Sequence, residues 1–143
     1  MRFKTGIMLA LLALGAAGAS RAALAEVVVV VSAKNPLTSL SKSQVVDIFL
    51  GKARRFPDGS PAVPVDLQEG SPARDEFYAV FAGTSAAQLK SYWAKIIFTG
   101  RGQPPRTAAG PAEIHKLLAA DPHVIAYLDR SAVDDSMKIL GRP

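Results

Sequence analysis

The chain of 143 residues contains no cysteine. That excludes a disulfide scaffold, a thiolate nucleophile, a Cys-based zinc or iron–sulfur site, and a lipid anchor on an N-terminal Cys. Histidine is scarce as well, with two copies. His115 falls in a helical pattern whose acidic neighbour Glu113 points elsewhere, and no ligand pair has the spacing of a helical zinc site. There is no Gly-x-Ser-x-Gly elbow, no phosphate loop and no dinucleotide fingerprint, and no Ser–His–Asp set assembles. Asp134-Asp135 reads as a turn between strands rather than a cation site. These absences argue against an enzyme and call for no cofactor and no metal. What is present is a chain 49% apolar and 20% charged, enough to build a core and too apolar for wholesale disorder.

The formal charge of +5 invites a nucleic-acid reading, but much of it lies at the start. Arg2 and Lys4 precede an uncharged Ala/Leu-rich run from Gly6 to Gly18, and Ala23-Leu24-Ala25 has the small-x-small pattern of a signal-peptidase site. Residues 1–25 therefore read as a signal peptide cleaved after Ala25. Its apolar run is shorter than the roughly 20 residues that span a bilayer, so no membrane span is expected after cleavage. Without Arg2, Lys4 and Arg21, 14 basic residues face 12 acidic ones. A net of +2 carries no nucleic-acid signature, and a periplasmic location is the expectation.

Residues 26–143 read as one α/β domain, a central sheet flanked by helices. Val27–Val31 is an unbroken β-branched run, the mark of a strand buried on both faces. Ser41 to Gln44 fits a capping box, with Leu40 and Val45 as its hydrophobic staple and Gly51 as the helix stop. Lys52 to Pro61 is a basic loop turning at Pro57-Asp58-Gly59, and Val63 and Val65 mark a short strand. Ser71-Pro72 opens a helix with Ala73, Phe77, Val80 and Phe81 on one face and Gly83 at its end. A second capping box, Ser85 to Gln88, starts the longest helix, whose expected buried stripe is Leu89, Tyr92, Trp93, Ile96 and Ile97. The stripe of Tyr92, Trp93 and Phe98 is expected in the core. Arg101 to Gly110 reads as a loop, Pro111 begins a helix closed by Asp121-Pro122, and Val124–Leu128 and Met137–Leu140 complete the strands.

The strongest candidate site is Gly70-Ser71-Pro72-Ala73-Arg74. A helix N-terminus presents unpaired N–H groups and positive dipole charge; Ser71 adds a hydroxyl and Arg74 a planar fork that fits oxyanions. On spacing alone the plainer reading is a helix cap at Ser71, with Arg74 solvated or paired to Asp75 or Glu76. Asp66 and Glu69 lie just upstream and repel an anion unless Arg74 neutralises one of them. Two basic loops are secondary candidates, Arg54 and Arg55 beside Lys52, and Arg101 with Arg106.

The ordered set Asp47-Ile48-Phe49-Leu50-Gly51-Lys52, Phe56-Pro57-Asp58-Gly59, Val63-Pro64-Val65 and Gly70–Arg74 with Phe77 resembles the phosphate-type (type 2) periplasmic solute-binding proteins of ABC transporters. Tyr92-Trp93, Phe98–Gly102 and Ile125–Leu128 extend the resemblance over nearly all of 26–143. It implies the fold of one lobe of such a protein, with Ser71 and, less directly, Arg74 as ligand-binding residues. Members usually have two lobes that close on phosphate; this chain has room for one. Their Ser-Gly-Thr triplet stands here as Ser71-Pro72-Ala73, and an Arg that often precedes it aligns with Asp66. The resemblance thus implies a protein that binds phosphate or another oxyanion weakly or as a homodimer. The alternative is an interaction module that keeps the fold, has lost the ligand, and docks its basic loops on an envelope protein.

Overall fold

Strand β1 (Val27–Ser32) is buried along its whole length, as five successive β-branched residues dictate. The computed structural model describes residues 26–142; the expected signal peptide lies outside them. β1 is flanked by two antiparallel partners, β4 (Val124–Asp129) and β5 (Met137–Gly141). β4 pairs in parallel with β2 (Val63–Leu67), and β2 in parallel with β3 (Arg106–Ala108). The five strands form one mixed sheet in the order β3-β2-β4-β1-β5.

Local signals place the helices. α1 (Lys42–Phe49) starts on the Ser41/Gln44 capping box, with Leu40 and Val45 both buried. α2 (Pro72–Ala82) starts with Ser71 Oγ accepting from the Arg74 N–H and ends on Gly83. α3 (Ala86–Phe98) starts on the Ser85/Gln88 box. α4 (Pro111–Ala120) follows Gly110, with proline in its first turn. From β2 the chain passes through α2 and α3 to β3, then returns through α4 to β4. Because parallel crossovers are right-handed, these two connections lie on opposite faces of the sheet. α2 and α4 both pack on β1, which explains its burial on both sides.

The core beneath α1 and α2 is aromatic. Phe77 stacks on Tyr127 with ring centroids 4.1 Å apart and meets Phe49 edge-on at 4.9 Å. Three sequence expectations need correction. In α2 the buried residues are Phe77, Tyr78 and Phe81, while Val80 is 38% exposed, because Tyr78 turns inward to a polar partner. In α3 only Leu89 and Trp93 are buried; Ile97 and Phe98 are 54% and 92% exposed, because the helix packs through Tyr92 and Trp93 on the Leu50-Gly51 turn and leaves its last turn uncovered. Arg101 to Gly110 is not wholly loop: Arg106–Ala108 adds an edge strand, and Arg106 belongs to it.

Gly51 is required where α1 stops. Its φ is +74°, and a Cβ there would sit 3.3 Å from the Trp93 ring. Gly51→Ala is expected to destabilise the fold by about 1–2 kcal/mol through left-handed strain alone, before displacement of the indole is counted. Urea unfolding of the two proteins measures it, with the midpoint falling at unchanged m-value.

Candidate functional site

The reversal of connection at β3 fixes where a ligand can enter. α2 leaves the C-terminal end of β2 on one face and α4 leaves the C-terminal end of β3 on the other, which opens a crevice outside those strand ends. A cavity of about 370 Å³ lies there, lined by Leu67, Ser71–Ala73 and Glu76 on one side and Ala109–Pro111 and Asp129 on the other. Two helix N-termini thus meet at one cavity. Gly70 makes the sharp entry to α2 with φ +88°. Pro72 has no N–H to offer and the Arg74 N–H goes to Ser71 Oγ at 3.4 Å, which leaves Ala73 as the first-turn donor. Gly110-Pro111 is the same kind of helix start as Ser71-Pro72, but no spacing in the sequence joins the α4 end to the site.

Arg74 does not line this cavity. Its Nε lies 3.5 Å from Asp66 Oδ1, so Asp66 is the acid it neutralises. The pairing with Asp75 or Glu76 is not formed, and Glu69 instead approaches the exposed Lys90 at 3.9 Å. Asp66 itself is 2% exposed. The Tyr78 hydroxyl donates to its Oδ2 at 2.6 Å, the Tyr127 hydroxyl donates to Oδ1, and the Leu67 N–H donates to Oδ1 at 2.9 Å. Burial, followed by the adjacent Asp66 charge, pushes both phenol pKa values far above their usual 10.0. With Arg74 turned away, Glu76 and Asp129 are the only formally charged residues lining the cavity among the described residues.

The secondary candidates separate. Arg54, Arg101 and Arg106, with Lys52, line a second cavity of about 500 Å³ at the N-terminal end of β2, the opposite end from Ser71. Arg55 is not among them: its Nη1 donates to the Gly59 carbonyl at 2.9 Å and holds the Pro57–Gly59 turn. His115 lies between the Ala132 carbonyl and Asp134, and His123 beside Asp121, so each histidine has a local structural partner. Among the described residues no group of three His, Asp or Glu side chains is placed to hold a metal ion, and no helix is long and apolar enough to cross a membrane.

The buried phenols set an alkaline limit. Below pH 10.0 their contribution to stability is present in full; above it the unfolded chain loses protons that the folded chain retains, so stability falls as pH rises. Phenolate absorbance of Tyr78 and Tyr127 should therefore appear together with loss of near-UV dichroism, not before it. Tyr127→Phe removes one donor to Asp66 and one acceptor of the Leu67 N–H, and should cost about 1–3 kcal/mol in denaturant unfolding.

Neither a protein-family model nor a curated protein sequence matches the chain. Solved structures do. A protein described as a phosphate ABC transporter substrate-binding protein from Clostridium perfringens, with bound phosphate, superposes at a TM-score of 0.64 with 24% identity. An ABC-type phosphate transport receptor from Vibrio cholerae gives 0.64 with 16% identity, and PstS from Borrelia burgdorferi 0.60 with 10%. Each match covers 81% of this chain but only 44%, 45% and 46% of the other, so the chain spans less than half the length of these proteins. Its fold is that of one lobe of a phosphate-type substrate-binding protein.

Proposed function

We propose that the protein is an exported, periplasmic, non-enzymatic solute-binding lobe that takes phosphate or a similar oxyanion at the Gly70–Ala73 turn. The observation that carries this reading is the meeting of the α2 and α4 N-termini at one cavity outside the ends of β2 and β3. The shared fold supports phosphate as the first ligand to test. Ser71 Oγ and the Ala73 N–H are the donors on the α2 side, and the Ala112 and Glu113 N–H groups stand in the first turn of α4. Arg74 is a positioning residue: its pairing with Asp66 orients α2 and takes its charge out of the cavity.

The electrostatics make the site a half-site. Glu76 and Asp129 oppose an anion, and among the described residues no Lys or Arg lines the cavity to balance them. A second lobe with cations facing the cleft supplies the missing positive charge; a second copy of the chain does so only by presenting its Arg54–Arg101 end, because its own Ser71 end carries the same two carboxylates. Binding by one chain alone is weak for the same reason.

Ser71→Asp is the informative substitution, because aspartate caps a helix as well as serine does and places a carboxylate where the ligand would sit. We expect phosphate to raise the melting temperature of the wild type and to shift its sedimentation toward dimer. In Ser71→Asp both responses should be lost, with the unliganded melting temperature unchanged. A ligand at 100 times its dissociation constant stabilises by about 2.7 kcal/mol, well within reach of a thermal scan. A wild type indifferent to millimolar phosphate, sulfate and arsenate would remove the proposal.

A further inference from the structure

The two basic segments that look independent in the sequence form one site. The segment after α1 brings Lys52 and Arg54, and the segment from α3 into β3 brings Arg101 and Arg106, to the rim of the 500 Å³ cavity. Its floor is apolar: Val63, Tyr92, Trp93, Ile96, Pro104 and Pro105. No Asp or Glu among the described residues lines it. Among the described residues Lys52, Arg54 and Arg101 make no ion pair, and Arg106 alone has a partner, Glu113, at 3.8 Å. The floor is fixed rather than loose. The Tyr92 hydroxyl donates to the Leu50 carbonyl at 2.6 Å, and the Trp93 ring lies against Gly51.

The floor also holds an unpartnered donor. Trp93 is buried, yet its indole N–H has no hydrogen-bond partner. A buried donor without an acceptor costs about 1–3 kcal/mol and calls for an explanation. Here it belongs to a side chain that lines a cavity with four cations and no acid. The volume is in the range of small-molecule sites, about 300–1,000 Å³.

We infer that this cavity binds a small organic anion with an apolar body, of the aryl- or alkyl-carboxylate class. The apolar part lies on the Tyr92–Trp93–Ile96 floor, and the carboxylate meets the guanidinium groups of Arg54 and Arg101. Inorganic phosphate has nothing to place on the floor and is a poor ligand here. The site is independent of the oxyanion reading, since it lies at the other end of β2 and shares no residue with the Ser71 cavity.

Trp93 is the chain's sole tryptophan, so its indole N–H gives one isolated resonance in a ¹⁵N-labelled sample. The full chain is titrated with phenylacetate and 4-phenylbutyrate, with their neutral amides, and with inorganic phosphate. The expected result is a saturable shift of the indole resonance with the acids, at least tenfold weaker binding of the amides, and no comparable shift with phosphate. The exposed double substitution Arg54→Ala/Arg101→Ala should weaken acid binding at least tenfold at an unchanged melting temperature, while Ser71→Asp leaves it unaltered. Equal binding of acid and amide, an equal shift with phosphate, or no saturable shift with either acid would overturn the inference.

Discussion

A buried carboxylate governs the geometry of this lobe. Removing an ion such as Asp66 from water costs several kcal/mol, which only a full set of partners offsets. Here the set comes from three elements: Tyr127 from β4, Tyr78 and Arg74 from α2, and the Leu67 N–H from β2. Satisfying one side chain therefore docks α2 against the β2–β4 seam. The aromatic stack of Phe77 on Tyr127 fills the space beside it. Once α2 is held there, its first turn must open at the end of β2, and the Gly70–Ala73 turn has its place. The same contact sets the Arg74 Nε against Asp66 and leaves Arg74 outside the lining of the Ser71 cavity.

Charge is segregated along β2. At its C-terminal end two helix N-termini bring roughly half a positive charge each, against the carboxylates of Glu76 and Asp129. The balance is about one negative charge, so an oxyanion there needs a cation from outside the lobe. At the N-terminal end, α1 and α3 finish beside the second cavity and bring roughly half a negative charge each. Four cations face them, one of which is shared with Glu113. A net positive potential survives at that end. Each side-chain set answers the nearby helix dipoles first, and the excess that remains differs in sign between the two cavities.

Local chemistry was legible in the sequence and convergence was not. The boxes at Ser41/Gln44 and Ser85/Gln88, the caps at Ser71 and Gly83, and proline at the start of α4 are decided within four residues of chain. The β-branched run of β1 announces a doubly covered strand in the same way. The edge strand Arg106–Ala108 escapes because three residues between prolines carry no period. Tyr78 replaces Val80 in the core because a phenol reaching Asp66 outweighs the apolar stripe, and that partner stands twelve residues away across a turn. The pairing of Arg74 with Asp66 was open in the sequence alongside Asp75, Glu76 and Glu69, and only the docking of α2 decides it. Lys52, Arg54, Arg101 and Arg106 meet because the chain enters the adjacent strands β2 and β3 at the same end, which no spacing rule records.

The separation of the two cavities has its own consequence. Five residues of β2 at about 3.3 Å per step put its ends about 13 Å apart, beyond the ~8 Å Debye length of physiological salt. The exposed cations of one end therefore do little to draw an anion to the other. A lobe that met phosphate through its basic rim would need the charge and the helix N-termini on the same side of the sheet, and here they are on opposite ends. The fold thus supplies backbone donors where it lacks cations, and cations where it lacks backbone donors. On the proposed reading, oxyanion capture at the Ser71 cavity takes its positive charge from a second lobe, whereas the basic cavity acts within a single chain.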